Sequence, residues 1–228
     1  AARQMSIELG GASAAVVGAT GAIGSVCAQI LAGDVADLTL IGRRPDALEA
    51  VREQCEGQRA RVRTSTDLDA MYHADLILTV TSAIGAVIEP QHLKPGVVVC
   101  DVARPRDVST RVAQVRQDVL VIEGGMVEVP GPVDFGFNFG FPPGKSYACM
   151  AETMALALEG RYEDYSVGKH ISRAQVYEIG EIADRHGFKL SGFRSFERAV
   201  TDEQIAQVRQ RAADARRTRR PVWFANNS

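Results

Sequence analysis

The sequence predicts a doubly wound α/β fold, a mainly parallel sheet of the Rossmann type followed by C-terminal helices. The first 125 or so residues alternate short β-branched runs with helical stretches, a pattern typical of parallel strands joined by crossover helices. The apolar runs at residues 14–19 and 75–80 are short enough for strands buried on both faces. Glycines follow the first of these runs and open a helix, as in nucleotide-binding sheets.

Each element of the predicted sheet has a local signal. Six strands are expected, at residues 14–19, 38–41, 61–64, 75–80, 97–102 and 119–123. Helices are predicted at residues 23–32 and 46–56. In the second of these, Pro45 suits the first turn and Gly57 ends the helix.

Three further helices are predicted toward the C-terminus, each marked by a capping residue. The signals are Ser146 as N-cap of residues 147–159, a capping box of Ser172 and Gln175 with Gly187 as the end, and a box of Thr201 and Gln204 with Pro221 as the end. The predicted division is therefore a nucleotide-binding domain at residues 13–146, a helical segment at 147–220 and a tail at 221–228.

Residues 129–145, between the sheet and these helices, are rich in proline, glycine and phenylalanine. In this passage Phe135, Phe137, Phe139 and Phe141 alternate with other residues, mostly small ones. Such a passage is either a lid or docking surface, or an ordinary packed loop, and the sequence leaves both open.

Composition excludes several classes of function. The formal net charge of −2 gives no overall electrostatic basis for a nucleic-acid or membrane partner, and no apolar run is long enough for a membrane span. The four cysteines lack metal-ligand spacing, so we expect free thiols, no metal site and a cytoplasmic protein. Oligomeric state is not indicated.

The glycine-rich segment GATGAIG, residues 18–24, predicts a site for the pyrophosphate of a dinucleotide. Bare glycines let backbone amides approach the phosphates, and the helix N-terminus attracts their charge. The spacing is G-x-x-G-x-x-G, so its position between strand and helix is what carries the prediction. The candidate residues are Gly18, Thr20, Gly21, Ala22, Ile23 and Gly24.

Two arginines predict NADPH/NADP as the cofactor. An NAD site usually has Asp or Glu at the end of the second strand, where it binds the ribose hydroxyls. Here Arg43 and Arg44 occupy that place, and paired guanidiniums hold an additional phosphate well. The alternative is a solvated charge pair at a helix entry.

Ligands of open α/β sheets lie beyond the carboxyl ends of the strands. Thr81 and Ser82 follow the fourth predicted strand, and Asp101 lies at the end of the fifth. We expect these residues to line the nicotinamide half of the site, although Ser82 is equally well explained as a turn hydroxyl.

Cys149 is the candidate nucleophile. With Ser146 as N-cap it would be the third helical residue, where free amides and the helix dipole favour a thiolate, and Lys145 would act in the same direction. Burial as a structural thiol is the alternative, and it suits Cys27 and Cys100 better.

Several motifs together resemble the long-chain acyl-[acyl carrier protein] reductases of cyanobacteria, in order and spacing, over about residues 1–190. They are VVGATGAIGS at 16–25, PGVVVCDV at 95–102, EGGMVE at 123–128, YACMAETM at 147–154, YSVG at 165–168, EIG at 178–180 and HGF at 186–188.

The resemblance implies an NADPH-dependent reduction of a fatty acyl thioester to an aldehyde. The cysteine matching Cys149 would accept the acyl group before hydride transfer. Members of the family carry an N-terminal substrate domain, so we expect residues 1–12 to be the end of a linker from such a domain, and the chain to be a fragment or a standalone relative.

Past residue 190 the resemblance ends, and a basic C-terminal stretch follows. Its arginines suit either an acidic partner such as acyl carrier protein or a solvated helix face. They are Arg209, Arg211, Arg216, Arg217, Arg219 and Arg220.

Two other functions stay open. One is a shikimate-dehydrogenase-like or glutamyl-tRNA-reductase-like NADP oxidoreductase. A catalytic Lys–Asp pair would favour the former, and the positions of Lys94 and Asp101 give only weak support for such a pair. The other is a nucleotide-binding module without turnover.

Overall fold

The computed structural model describes residues 1–137, 142–168 and 170–218 of the chain. It divides into two compact units, each described separately below. The first combines Ala1–Glu123 with residues 193–218, and the second is Gly124–Gly192.

The first unit is built on a six-stranded parallel sheet, which confirms the predicted fold class. Its strand order is β3-β2-β1-β4-β5-β6, the doubly wound arrangement with a switch point between β1 and β4. The strands are β1 Ser13–Val17, β2 Asp37–Ile41, β3 Arg61–Ser65, β4 Leu76–Thr79, β5 Val98–Asp101 and β6 Leu120–Glu123.

Helices connect these strands much as the sequence predicts. α1 spans Ala22–Asp34, α2 spans Pro45–Gln54 with its proline in the first turn, and α3 spans Thr110–Val115. The sequence analysis did not include α3, which is only six residues long. Short 3₁₀ turns cover Leu68–Met71 and Pro90–His92.

Both faces of the sheet are buried. Successive side chains of a strand point to opposite faces, so Ala15 and Val17 of β1 pack in one apolar cluster while Ala14 and Val16 pack in another. Burial on both sides removes any need for polar alternation, which explains why β1 is a continuous apolar run, whereas the edge strand β3 is polar and largely exposed.

One face of the sheet at β5 and β6 is covered by the first and the last described segments of this unit. Met5, in the 3₁₀ turn Arg3–Met5, packs with Leu120, Ile122 and Ile205. Ile205 belongs to α6, Asp202–Thr218, which follows a short hairpin of β10 Arg194–Ser195 and β11 Arg198–Ala199.

The units therefore divide the chain differently from the sequence analysis. Residues 1–12, expected to end a linker, contribute Met5 to the core of the first unit. The segment at 147–220 is split, because the apolar face of α6 packs with the sheet while the two helices before it lie in the second unit.

The second unit has a three-stranded antiparallel sheet and two helices. The sheet order is β8-β7-β9, and the core is formed by helix and loop side chains such as Val129, Ala155, Leu156, Ile182 and Phe188. The elements are β7 Met126–Glu128, β8 Lys145–Tyr147, α4 Ala148–Leu158, α5 Arg173–Arg185 and β9 Lys189–Leu190.

Two of the three predicted helix starts are confirmed. Ser172 and Gln175 form a reciprocal capping box at α5, and Thr201 and Gln204 form one at α6. The predicted cap at Ser146 is wrong: Ser146 pairs with Val127 in the sheet, its side chain is buried, and its hydroxyl donates to the Tyr147 carbonyl.

The structure describes only some of the phenylalanines and C-terminal residues that the sequence singled out. Phe135 packs against the core of the second unit, whereas Phe137 is largely exposed. Phe139, Phe141, Arg219, Arg220 and Pro221, with the tail at 221–228, lie outside the described residues. Within the described ranges, no helix has the length and apolar character needed to cross a bilayer.

A buried ion pair supports the amino-terminal side of the sheet. The Arg116 guanidinium donates to Asp118 from Nε at 2.7 Å and from Nη2 at 3.0 Å, and its Nη1 donates to the carbonyls of Pro90 and Leu93. It thereby connects the loops that enter β5 and β6.

Replacing this arginine should destabilise the protein strongly. Arg116→Met leaves the Asp118 carboxylate buried without its cation, so we expect the free energy of unfolding to fall by about 3–5 kcal/mol in urea titrations. Arg111→Met is the control, since Arg111 is exposed and its 3.4 Å pair with Glu89 should contribute less than about 1 kcal/mol. Equal losses in the two variants would contradict this account.

Candidate functional site

The glycine loop leaves β1 through a backbone conformation that favours glycine. Gly18 has φ +82°, and a Cβ there would lie 2.6 Å from the Val80 carbonyl oxygen. The loop therefore lies in direct contact with the chain leaving β4. A side chain at position 18 would force these two segments apart.

The other two glycines of the motif differ in what they do for the fold. A Cβ on Gly24 would meet the Gly18 carbonyl oxygen at 2.3 Å, so Gly24 allows α1 to pack onto the loop. Gly21 has an ordinary φ of −79°, and its Cβ would lie at van der Waals distance, 3.4 Å, from the same oxygen. The fold therefore does not require Gly21, and its missing side chain leaves the N-terminus of α1 open to a ligand.

The first turn of α1 presents donors suited to an anion. The first hydrogen bond of the helix runs from Ser25 N to the Gly21 carbonyl, so the amides of Ala22, Ile23 and Gly24 precede the intrahelical ladder. Gly21 is the N-cap, and no side-chain hydrogen bond caps the helix. These features fit the pyrophosphate of a dinucleotide.

Arg43 and Arg44 lie in the loop after β2, beside the glycine loop. Both side chains are exposed, and neither makes a hydrogen bond or ion pair with any residue that the structure describes. Their loop contacts the glycine loop at Gly42, where a Cβ would lie 3.6 Å from Thr20 Cγ2. Two guanidinium groups that pair with no described residue thus lie where the adenosine end of a dinucleotide is predicted to bind.

Thr81 and Ser82 follow β4 on the other side of β1. Thr81 is half-buried and Ser82 is exposed. The Thr81 backbone nitrogen would lie 3.2 Å from a Cβ on Gly18. The structure therefore brings the glycine loop and the loops after β2 and β4 together at the switch point of the sheet.

Asp101 occupies a different kind of position. Its side chain is buried at the end of β5, and its oxygens accept from Ala103 N at 3.0 Å and Val108 N at 2.9 Å. Burial raises the pKa of this carboxyl, while the backbone hydrogen bonds oppose the shift. Asp101 thus holds the loop after β5, and its carboxylate does not reach the surface of the site.

Asp107 is a residue of this region that the sequence analysis missed. It is fully buried, and its carboxylate accepts hydrogen bonds from Thr79 and Thr81 at the end of β4. The available signal was weak: a lone aspartate in an Arg-Pro-Arg-Asp loop next to Thr79 and Thr81. Only the fold brings these segments together.

In the second unit, Cys149 is the exposed cysteine of the four. Because Tyr147 is the N-cap of α4, Cys149 is the second helical residue rather than the third, and it still lies in the first turn. The Lys145 ammonium donates to the Ser191 carbonyl at 3.1 Å. By contrast, burial raises the pKa of the Cys27 thiol and raises that of Cys100 to about 11, so these two stay protonated at neutral pH.

Lys94 and Asp101 lie at opposite ends of β5. The Lys94 ammonium precedes the strand and donates to Asp75 at 2.6 Å and to the His73 carbonyl at 2.7 Å. The two side chains therefore form no catalytic pair.

Two curated relatives resemble most of the chain. Aminotransferase PigE of Serratia sp. (strain ATCC 39006) is 32% identical over 201 residues, 86% of this chain and 23% of that protein. The long-chain acyl-[acyl-carrier-protein] reductase of Synechococcus elongatus (strain ATCC 33912 / PCC 7942 / FACHB-805) is 34% identical over 197 residues, 83% of this chain and 56% of that protein. The chain thus spans less than two thirds of either relative.

Among solved structures, glutamyl-tRNA reductase from Methanopyrus kandleri aligns with 95% of this chain and 42% of its own, at 15% identity and a TM-score of 0.44. The family described as shikimate / quinate 5-dehydrogenase matches residues 1–123, more than half of the chain. The first unit is accordingly an NAD(P)-binding Rossmann domain of the oxidoreductase type, which confirms the predicted class of cofactor. The chain belongs to the shikimate / quinate 5-dehydrogenase family.

Proposed function

We propose that this chain is the cofactor-binding and nucleophile-bearing part of an NADPH-dependent reductase that converts fatty acyl thioesters to aldehydes. The observation that carries the proposal is the exposed Cys149 thiol in the first turn of α4. The similarity to the acyl-[acyl-carrier-protein] reductase supports it, since 197 aligned residues extend well beyond the 123 that the family matches.

In this reaction the Cys149 thiolate attacks the carbonyl carbon of the acyl thioester, and the carrier leaves as a thiolate that takes up the proton Cys149 had lost. The acyl group is then held as a thioester on Cys149. When bound at the glycine loop, NADPH would supply the hydride that reduces this carbon, and the aldehyde would leave as Cys149 is restored. Cys149 lies in the first turn of α4, where the backbone amides have no intrahelical partner.

The choice of NADPH rests on Arg43 and Arg44. A dinucleotide with its pyrophosphate at α1 places its adenosine ribose near the end of β2. The uncommitted guanidiniums there can form charge-assisted hydrogen bonds to a 2′-phosphate, and no acidic side chain stands in that loop to repel it.

A second candidate is a dehydrogenase acting on a polyol acid such as shikimate, favoured by the family match over residues 1–123. Such a reaction moves hydride directly to or from a substrate carbon and requires no covalent adduct. The separation of Lys94 from Asp101 argues against it. A third candidate is a nucleotide-binding module that catalyses no reaction. For the reductase proposed first, the proposed partner is an acyl carrier protein.

An acyl adduct should form on Cys149 without NADPH. Incubation with palmitoyl-coenzyme A should add one acyl group to the intact mass, and NADPH should then remove it with release of aldehyde. Cys149→Ala should give no adduct, whereas the control Cys27→Ala should react as the wild type does. An unmodified wild-type chain, or an adduct that persists in Cys149→Ala, would contradict the thioester mechanism. Oxidation of shikimate with NADP⁺ in the absence of an adduct would favour the second candidate.

The double variant Arg43→Ala/Arg44→Ala should lose preference for NADPH. Loss of charged hydrogen bonds to the phosphate should raise the Kd for NADPH about 10- to 100-fold in fluorescence titrations, with little change for NADH. Arg52→Ala, in the last turn of α2 and paired with Glu49, is the control. A persistent NADPH preference would show that these arginines do not read the phosphate.

Gly24 in the first turn of α1 and Gly21, the N-cap of that helix, should separate folding from binding. Gly24→Ala should lower the free energy of unfolding by about 1–3 kcal/mol, since its Cβ meets backbone at 2.3 Å. Gly21→Ala should lose no more than about 1 kcal/mol of stability, the usual cost of alanine at an N-cap. It should bind NADPH at least about tenfold more weakly, because the new methyl would occupy space needed by the pyrophosphate. Wild-type affinity in Gly21→Ala would contradict the assigned phosphate position.

A further inference from the structure

Asp107 is a fully buried carboxylate at the carboxyl end of the sheet. Its Oδ2 accepts from Thr79 Oγ1 at 2.5 Å and from Thr81 N at 2.8 Å, and its Oδ1 accepts from Thr81 Oγ1 at 2.5 Å. The side chain therefore binds the end of β4 and the first residues after it.

The main chain of Asp107 holds the far end of the same loop. Its carbonyl accepts from Val87 N at 2.8 Å and from Ile88 N at 2.9 Å. One residue thus anchors both ends of residues 80–88, and Val108 next to it is bound by the Asp101 carboxylate.

The contacts of Asp107 extend to the exposed part of the loop. Thr81 Oγ1 donates to Asp107 and also accepts from Ala83 N at 3.2 Å. Ser82, which is exposed, therefore lies between two residues whose orientation depends on this carboxylate. Gly18 lies against Val80 and Thr81 N, so the fixed segment also adjoins the glycine loop.

Burying a carboxylate to hold a loop costs desolvation free energy. The three donors to Asp107 are neutral, two hydroxyls and one amide, so they compensate its desolvation without a full counter-charge. Neutral side chains could satisfy the two threonines at lower cost. The carboxylate differs from them in accepting all three hydrogen bonds at once, which fixes the rotamer of Thr81.

We propose that Asp107 is a positioning residue for the cofactor, holding Thr81 and Ser82 in the orientation that receives the nicotinamide half. This inference rests on the dinucleotide site proposed above. It does not depend on Cys149 or on the identity of the hydride acceptor.

The inference is tested by comparing the affinities for two ligands that occupy different parts of the dinucleotide site. NADPH occupies both halves, whereas adenosine 2′,5′-bisphosphate occupies only the adenosine half. Asp107→Ala should weaken NADPH binding about tenfold while leaving the affinity for the bisphosphate within about twofold of wild type. Asp107→Asn keeps one acceptor oxygen for Thr79 and Thr81 N, so it should recover part of the loss.

Asp118→Asn is the matched control. Asp118 is equally buried but lies before β6, at the other end of the sheet, where it pairs with Arg116. It should lower stability without changing the ratio of the two affinities. If Asp107→Ala does not fold, as judged by circular dichroism, Asp107→Asn carries the comparison.

The outcomes separate the two proposals. If the wild type binds both ligands and the folded Asp107 variants weaken both equally or neither, the positioning role is wrong and the cofactor site stands. If the wild type binds neither ligand, the cofactor site fails and the inference with it.

Discussion

The fold and the candidate site both depend on close backbone contacts at the end of β1. Gly18 lies against the Val80 carbonyl, and α1 can begin directly above the loop because Gly24 lies against the Gly18 carbonyl. These contacts leave no room for a Cβ at either position. They bring the first turn of α1 over the switch point of the sheet, with the loops after β2 and β4 on either side. The amides of that turn face the site because the backbone passes so closely.

Four aspartates hold the loops at the two ends of the sheet through different partners. Before β4 and β6, Asp75 and Asp118 bind Lys94 and Arg116, and hydrogen bonds from Lys94 and Ser13 hold the pKa of Asp75 below its usual value despite burial. After β4 and β5, Asp107 and Asp101 accept from hydroxyls and backbone amides. At this end Arg106 pairs with Glu123 at 2.9 Å, whereas the exposed Arg43 side chain has no ion pair with any residue that the structure describes.

The sequence predicts well those features that depend on neighbouring residues. Strand periodicity located all six strands within a few residues, and the boxes at Ser172 and Thr201 form as expected because each closes over three residues. The cap at Ser146 failed because a long-range contact prevailed: pairing with Val127 draws this serine into a strand. Asp107 was missed for the same reason, since its partners lie 26 and 28 residues away.

The two units contribute different parts of the proposed chemistry. The first offers a dinucleotide site common to many oxidoreductases and does not by itself select a hydride acceptor. A hydroxy-acid dehydrogenase transfers hydride at a carbinol carbon and has no use for a nucleophile, so under that function an exposed cysteine on the first turn of α4 would have no chemical task. Thioester reduction requires such a group, accessible and stabilised as an anion. Cys149 is exposed and lies in the first turn of α4, which suits it to the proposed reaction, whereas burial raises the pKa of the Cys27 and Cys100 thiols.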